Sequence, residues 1–270
     1  MTLKEVIERL RASGIESAEH EARLLFEEFS GLDKPYLSAT DSANETLIDA
    51  VRRREEREPL QYIIGKTGFY REEYIVSPDA LIPRFDTEHL VDYAVHHLPE
   101  GARFLDICTG TGCIAISTLK NTKGTTALAV DISEAALKLA RKNAEKNGVE
   151  SRLDLKKVDI LTEGEGIEGE YYAVLSNPPY VTEAAYTALE PEIYREPKIA
   201  FVGGEDGMVF YREITRLARG LIKKEGFIAY EIGYDQAEAI KAVAKENGFV
   251  AEIIKDWSGN DRVAVLKFQD

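Results

Sequence analysis

The chain has 270 residues, a formal net charge of -14 and 44% hydrophobic residues. That length fits one large domain or a medium domain with a small one, and the apolar content suffices for a core. No apolar run approaches the ~20 residues of a membrane span, the first residues do not resemble a signal peptide, and two cysteines are too few for a disulfide framework. We therefore expect a cytoplasmic protein without a membrane partner.

The acidic balance bears on the class of partner. A protein that holds nucleic acid through its phosphates normally presents a basic surface. Against the net charge, Arg52-Arg53-Arg54 is one local basic candidate. We therefore expect no direct nucleic acid contact, and a neutral or cationic protein partner agrees better with the composition.

Residues 1–75 are predicted to form a small helical domain. Thr2 and Glu5 have the spacing of a capping box at the start of a first helix. A second helix is predicted after Ser17, and a third is predicted to stop at Pro59. The runs 60–65 and 69–76 are predicted to be extended, with a β-hairpin connector at about 60–80.

Residues 86–270 alternate predicted strands with predicted helices. The predicted strands are 104–107, 127–131, 153–158, 172–176, 227–232, 251–255 and 262–268. Helical patterns are expected between the first five, which indicates a mostly parallel sheet covered on both faces. No helical pattern separates the last two, so we expect them to pair antiparallel. This α/β outline, a Rossmann-like seven-stranded sheet, resembles that of class I methyltransferases.

A glycine-rich loop after the first of these strands indicates a nucleotide-like ligand. The loop runs from Asp106 to Cys113 and opens a helix, so its backbone can approach a ligand beside free amides. Asp131 ends the second strand, where a carboxylate can accept hydrogen bonds from ribose hydroxyls. Residues 110–115 also satisfy the dinucleotide fingerprint. The loop therefore leaves two ligands open, a dinucleotide or S-adenosylmethionine, with Asp106 holding the amino acid end of the latter.

Asn177-Pro178-Pro179-Tyr180 follows the fourth strand, at the sheet edge where ligands bind. Two consecutive prolines make a stiff turn that lacks amide donors. The Asn177 side-chain oxygen and the Pro178 carbonyl can then accept both hydrogens of a planar NH₂ group. This draws the nitrogen lone pair out of conjugation and aims it at an electrophile. Tyr180 can stack on the planar group and face a positive sulfonium.

This tetrad beside the glycine loop resembles the amino-methyltransferases, which act on adenine, cytosine or glutamine. Segments 58–65, 81–88 and 196–207, together with the helical N-terminal domain, narrow the resemblance to the release factor glutamine N5-methyltransferases (the PrmC/HemK family). It covers essentially the whole chain. It implies transfer of the S-adenosylmethionine methyl group to the glutamine of the Gly-Gly-Gln motif in class I release factors. The N-terminal domain would recognise the remainder of that protein. The alternatives are methylation of a ribosomal protein glutamine or of a nucleic acid amino group.

The resemblance and the motifs together assign the site residues. Asn177, Pro178 and Tyr180 are the expected catalytic residues, and Pro179 and Arg84 join them in binding substrate. The expected cofactor-binding residues are Asp106, Cys108, Thr109, Gly110, Thr111, Gly112, Asp131, Ile132, Asp159, Ile160 and Asn177. Arg84 and Glu88 are expected to close over the cofactor or the substrate loop, with an interdomain salt bridge as the alternative. Neither the four histidines nor the cysteines have metal-ligand spacing, so no metal is expected.

Two residues depart from the family pattern. Cys108 stands where the family usually has Gly, and Phe85 where it usually has Pro. A side chain at position 108 is tolerable if the residue keeps a negative φ, so we predict a negative φ there. Neither change removes a hydrogen-bonding group that the chemistry needs.

Overall fold

The computed structural model describes residues 1–31 and 44–269. It divides the chain into two units, the first consisting of Met1–Lys66 with Glu190–Arg195 and the second of Thr67–Leu189 with Glu196–Asp270. The first unit contains helices α1 (Leu3–Ala12), α2 (Ala18–Phe29), α3 (Glu45–Glu55) and α4 (Leu60–Ile64). Among the described residues, no helix combines the length and apolar character that crossing a bilayer requires.

Side-chain caps begin α1 and α3, and one apolar core packs all three of the first helices. Thr2 and Glu5 form both hydrogen bonds of the predicted capping box, which confirms that prediction. The apolar faces of α1, α2 and α3 meet in one core that includes Val6, Leu25 and Val51, all fully buried. These helices are stabilised chiefly by that shared burial, because isolated helices of such length are marginal in water.

The predicted extended run at 60–65 is wrong, because Leu60–Ile64 is helical. Pro59 precedes the helix with a φ of -53°, and Gly65 closes it in the left-handed region with a φ of 81°. Proline before a helix and glycine after it are favourable boundaries. A short apolar run cannot distinguish a buried helical turn from a strand by periodicity, which explains the error.

The basic run of the first unit is neutralised by neighbouring carboxylates. The arginines 52, 53 and 54 form ion pairs, respectively, with Asp49 and Glu56, with Glu58, and with Glu21 and Glu192. Glu192 also pairs with Arg57 at 2.8 Å and lies in the segment Glu190–Arg195 of this unit. The run therefore presents no uncompensated cluster of positive charge.

A hairpin of β1 (Lys66–Phe69) and β2 (Glu72–Ile75) follows, within the predicted connector, and all of it but Lys66 belongs to the second unit. Its remaining strands are β3 (Arg103–Ile107), β4 (Thr126–Asp131), β5 (Leu153–Lys157), β6 (Tyr171–Ser176), β7 (Ile222–Glu231), β8 (Phe249–Lys255) and β9 (Asp261–Phe268). Its helices are α5 (Glu88–His97), α6 (Cys113–Asn121), α7 (Glu134–Asn147), α8 (Glu183–Tyr186), α9 (Val209–Ala218) and α10 (Ala237–Glu246).

The seven strands β3 to β9 form one sheet in the order β5-β4-β3-β6-β7-β9-β8. The first five in that order run parallel, and β9 pairs antiparallel with both β7 and β8. The predicted strands, the parallel sheet and the antiparallel end are confirmed. One expected helix is wrong: the described residues between β5 and β6 contain only a three-residue 3₁₀ turn, Gly164–Gly166.

Alternating side chains of the central strands pack on opposite faces of the sheet. In β3, Phe104 belongs to one apolar layer and Leu105 to the other, and in β6 Ala173 and Val174 divide the same way. This period of two is expected for a sheet covered on both faces. Because β3, β4, β6 and β7 are parallel, their carboxyl ends meet at one edge, where the site residues lie.

Candidate active site

The loop after β3 is shaped by glycines in left-handed conformations. Gly110 has a φ of 56° and Gly112 a φ of 82°. A Cβ on Gly112 would lie 2.8 Å from Ile116 Cδ1, the end of a flexible side chain, and 3.2 Å from Ala140 Cβ, a tight contact. Glycine at position 112 is favoured chiefly by the left-handed backbone, and close packing of α6 against α7 adds to that preference.

The prediction that Cys108 keeps a negative φ is wrong. Cys108 has a φ of 61°, in the region where L-residues crowd the following carbonyl oxygen. Cys108 is the first residue after β3, where the chain leaves the strand and enters the loop. Burial raises the pKa of the Cys108 thiol well above its ordinary value, so this side chain remains protonated at neutral pH.

Asp106 is a fully buried carboxyl group beneath this loop. Its Oδ2 accepts from Thr109 Oγ1 at 2.6 Å and from the Ala115 N–H at 3.3 Å. Its Oδ1 is buried without a partner among the described residues. Burial has the largest effect and raises the pKa of Asp106 to about 7, although the two hydrogen bonds by themselves would lower it. An unpaired, buried carboxyl oxygen fits a cationic or hydrogen-bond-donating ligand group.

Asp131, at the end of β4, ties the loop to the next strand. Its Oδ2 accepts from the Gly110 N–H at 2.9 Å, and its Oδ1 accepts from the Ser133 N–H at 2.9 Å. Burial raises the pKa of this carboxyl group, while the backbone donors oppose that effect. Each oxygen of a carboxylate can accept a second bond, so Asp131 retains capacity for ligand hydroxyls.

A cavity of about 260 Å³ opens beside this loop. Its walls include the predicted cofactor residues Cys108, Gly110, Asp131, Ile132, Asp159, Ile160 and Asn177. Ile132 and Leu161 are exposed apolar side chains in this wall, at 40% and 39%. A flat apolar ligand face would cover them. The other predicted cofactor residues do not line the cavity, and they are Asp106, Thr109, Thr111 and Gly112.

A second cavity of about 60 Å³ adjoins the first. Arg84, Tyr180 and Glu231 line it, and Asn177 lines both cavities. Asn177 is therefore the polar side chain at the boundary between the two spaces. Within residues 1–31 and 44–269, the His, Cys, Asp and Glu side chains form no group of three or more that could hold a metal ion.

The backbone of the tetrad is held from both sides. Ser176 Oγ, at the end of β6, donates to the Ile107 carbonyl at 2.6 Å, and the Tyr180 carbonyl accepts from Gln236 Nε2 at 3.3 Å. None of the described residues donates to the Pro178 carbonyl or to Asn177 Oδ1. The two acceptors that the sequence predicts for a planar NH₂ group are thus free.

Two residues that the sequence analysis missed complete the site. Asn177 Nδ2 donates to Thr87 Oγ1 at 3.2 Å, and Thr87 Oγ1 donates to Glu231 Oε2. Tyr180 Oη donates to the other Glu231 oxygen at 3.3 Å. Burial raises the pKa of Glu231 to about 7, although the Thr87 hydroxyl and the Arg262 charge favour its ionised form. The signal in the sequence for Glu231 is a charged residue inside the otherwise apolar run 227–232.

Arg84 and Glu88 have different partners, each within the second unit. The Arg84 guanidinium pairs with Glu196, whose other oxygen accepts from the Ile82 N–H at 2.9 Å. Glu88 accepts from the Tyr70 N–H in the hairpin turn at 2.7 Å. Neither contact is the interdomain salt bridge considered as an alternative, because all these residues belong to one unit.

Comparisons with known proteins agree with this architecture. Residues 2–65 match the PrmC N-terminal domain model, and residues 87–215 match the methyltransferase small domain model. The release factor glutamine methyltransferases of Agrobacterium fabrum and Caulobacter vibrioides are 34% and 35% identical to this chain. Both alignments cover 96% of this chain, and they cover 93% and 92% of those relatives.

Two solved structures are similar in fold. The ribosomal protein L11 methylase of Lactobacillus delbrueckii subsp. bulgaricus has a TM-score of 0.52 and 20% identity, over 72% of this chain and 84% of that chain. A methyltransferase from Pyrococcus furiosus has a TM-score of 0.54 and 19% identity, over 72% of this chain and 86% of that chain. These similarities confirm the fold class predicted from the strand pattern.

Proposed function

Since the chain belongs to the release factor glutamine methyltransferase family, we propose that it methylates the side-chain amide nitrogen of a glutamine in a peptide chain release factor. The family resemblance predicted from the sequence is confirmed by the relatives that align over nearly the whole chain. We place the modified glutamine in the Gly-Gly-Gln motif of class I release factors. The acid-rich composition supports a protein substrate.

S-adenosylmethionine is the proposed cofactor, and the residues of the larger cavity fit it. When bound, it supplies an electrophilic methyl group on a positively charged sulfur. Asp131 has acceptor capacity for ribose hydroxyls, and Ile132 and Leu161 offer apolar cover for a purine. Asp106 lies outside the cavity lining, beneath the loop that borders it, and its unpaired Oδ1 has the chemistry to accept from a cationic amino group. The methyltransferase match supports this cofactor over a dinucleotide.

The observation that carries the proposal is the state of Asn177. This side chain lines both cavities, its Nδ2 is engaged by Thr87, and its Oδ1 has no donor among the described residues. Neither Asn177 Oδ1 nor the Pro178 carbonyl accepts a hydrogen bond from the described residues, although Pro178 is not among the residues that line either cavity. A carboxamide NH₂ can satisfy both, whereas a hydroxyl or a carboxylate cannot.

These acceptors address the chemical difficulty of the reaction. An amide nitrogen is a poor nucleophile because its lone pair is delocalised into the carbonyl group. Two hydrogen bonds from its N–H groups orient the nitrogen and stabilise the positive charge that develops on it. The proton is lost late, to water, so no strong general base is required. Tyr180, which donates to Glu231, lines the smaller cavity with Asn177 and Arg84, and we assign Tyr180 and Arg84 to substrate binding. Pro179, also expected to bind substrate, lines the larger cavity instead.

The test is methylation of a purified release factor with labelled S-adenosylmethionine, followed by mass-spectrometric mapping of the modified residue. We expect label on the Gly-Gly-Gln glutamine and none on DNA, RNA or ribosomal protein. Asn177→Ala should abolish turnover while cofactor binding persists, because the Asn177 acceptor is lost. Label on a nucleic acid or a ribosomal protein, or normal turnover in the Asn177 variant, would contradict the proposal.

We also propose a cytoplasmic location for the protein, since release factors act on cytoplasmic ribosomes.

A further inference from the structure

We propose that Thr87 and Glu231 are positioning residues that determine which way the Asn177 amide faces, an inference that rests on the proposed function. A side-chain amide carries an acceptor at one end and a donor at the other, and the two ends have nearly the same shape. Packing alone therefore does not choose between them. In one orientation Asn177 presents an acceptor to the substrate NH₂ group, and in the other it presents a donor.

The chain of hydrogen bonds has a fixed direction. Asn177 Nδ2 can only donate, and it donates to Thr87 Oγ1 at 3.2 Å. The Thr87 hydroxyl has one proton, which it donates to Glu231 Oε2. Glu231 accepts at this oxygen in its ionised form and, with the proton on its other oxygen, in its neutral form as well. The carboxyl group thus keeps the Thr87 hydroxyl pointing away from Asn177, so Thr87 offers Asn177 only a lone pair.

Because these groups are buried, the direction of the hydrogen bonds has a large effect on the free energy of each Asn177 orientation. Thr87 and Glu231 are each 2% exposed, so water does not compete freely for their polar atoms. Glu231 is further held by Tyr180 Oη at its Oε1 and by Tyr211 Oη, which donates to its backbone carbonyl at 2.8 Å. Leaving a buried donor or acceptor without a partner is costly. Turning the Asn177 amide over would place Oδ1 against the Thr87 lone pairs, and this repulsion disfavours the unproductive orientation.

Without the Glu231 acceptor, the Thr87 hydroxyl is free to reverse. It can then donate to Asn177 Oδ1, which turns the Asn177 NH₂ group toward the smaller cavity. The substrate NH₂ group would meet a donor in place of an acceptor, and one of the two bonds that orient the nucleophile would be lost. The expected consequence is a slower chemical step with cofactor binding largely retained, since the cofactor residues of the loop after β3 are untouched.

Matched pairs of variants test this. Thr87→Val removes the hydroxyl at nearly constant shape, and Thr87→Ser restores it. Likewise, Glu231→Met removes the acceptor, and Glu231→Gln retains an oxygen that can accept from Thr87. We expect Thr87→Val and Glu231→Met to lower kcat by about 10- to 100-fold, the range for losing one hydrogen bond made in the transition state. Thr87→Ser and Glu231→Gln should stay within about fivefold of the wild-type protein, because each preserves its hydrogen bond.

Measuring cofactor affinity together with kcat distinguishes a variant that has lost the Asn177 orientation from one that has lost its folded structure. The dissociation constant for S-adenosylmethionine, measured by calorimetry, should change little in all four variants, so that the loss appears in kcat. Should Thr87→Val fail to fold, the Glu231 pair alone decides. Equal kcat within either folded pair, or loss of cofactor binding in step with kcat, would overturn the inference. Failure of the wild-type protein to methylate a release factor would instead overturn the proposed function.

Discussion

Gly203 lies directly against the Pro179 peptide of the tetrad. A Cβ at position 203 would overlap the Pro179 carbonyl oxygen and lie 2.9 Å from Tyr180 Cα. The Gly203 N–H also donates to the Val181 carbonyl at 2.9 Å, which holds the two segments together. The close approach of these backbones fixes the tetrad from outside, and only glycine has room for it.

Gly203→Ala is therefore expected to displace the tetrad. Because the obstructing atoms are backbone, relief requires a shift of the Pro179–Tyr180 peptide, and we expect a loss of about 1–3 kcal/mol in the free energy of unfolding. We also expect kcat to fall by at least about tenfold, since small displacements of a reactive geometry are costly. Denaturant unfolding and methylation kinetics measure the two effects.

Gly226→Ala is the matched control. A Cβ there would overlap the Tyr172 carbonyl oxygen and lie 3.0 Å from that of Lys223, away from the tetrad. The free energy of unfolding of Gly226→Ala should fall by an amount similar to that of Gly203→Ala, while the folded Gly226→Ala enzyme keeps its kcat. If both variants lose kcat equally, the contact between Gly203 and Pro179 has no specific role in the site.

Because the backbone of Cys108 is left-handed, variants with different residues at position 108 should differ in stability in a set order. We expect Cys108→Gly to raise the free energy of unfolding by about 0.5–1 kcal/mol, because glycine adopts this φ without a Cβ penalty. Cys108→Val should lower it by a larger amount, because a β-branched residue fits this region worst. Urea unfolding of the ligand-free protein measures the series. A stability order of Val above Cys above Gly would show that packing of the side chain outweighs the backbone conformation.

Asp131 should control cofactor affinity. In Asp131→Asn the side chain loses its charge, and an NH₂ group meets the backbone donors of either Gly110 or Ser133. We expect the dissociation constant for S-adenosylmethionine to rise by about 10- to 100-fold, as for the loss of hydrogen bonds to a charged group. Titration calorimetry provides the measurement, and the exposed Asp154→Asn on β5 is the control. Unchanged affinity in the Asp131 variant would remove this residue from the cofactor site.

The buried Glu231 carboxyl group should make the stability of the protein depend on pH. The Thr87 hydroxyl and the Arg262 charge favour the ionised carboxylate, whereas the Asp86 charge disfavours it. Burial outweighs them and raises the pKa to about 7. In the unfolded chain the carboxyl group releases its proton at an ordinary value near 4.5. Between these two values the folded protein binds more protons than the unfolded chain does.

Stability contributed by this group is therefore complete below the unfolded pKa and is lost as pH rises toward 7. We expect the ligand-free protein to lose up to about 1.4 kcal/mol per pH unit per such group across that interval. Asp106, whose pKa is also raised to about 7, adds to the effect. Unfolding free energies from about pH 5 to about pH 8 should show a shallower decline in Glu231→Gln than in the exposed control Glu252→Gln. Parallel profiles would show that Glu231 does not carry this proton.

Much of the fold was predictable from the sequence, because its signals are local. The seven strands of the large sheet and the Thr2–Glu5 cap follow from periodicity and from spacing within a few residues. The short helix α4 and the missing helix between β5 and β6 were not predictable in that way. In both places the local pattern is compatible with more than one structure, and tertiary packing chooses between them.

By itself, the sequence indicated the family, through motifs whose residues are close together in the chain. It also predicted a stiff turn at Pro178-Pro179, since consecutive prolines restrict the backbone locally. The tertiary structure alone decided the left-handed conformation of Cys108 and the partners of Asn177. Thr87 and Glu231 are 144 residues apart in the chain. Glu231 lies near the tetrad because β7 is beside β6 in the sheet, and Thr87 bonds both Glu231 and Asn177. Steric restriction acts between neighbours in sequence, whereas hydrogen bonding among buried side chains depends on which strands the fold brings together.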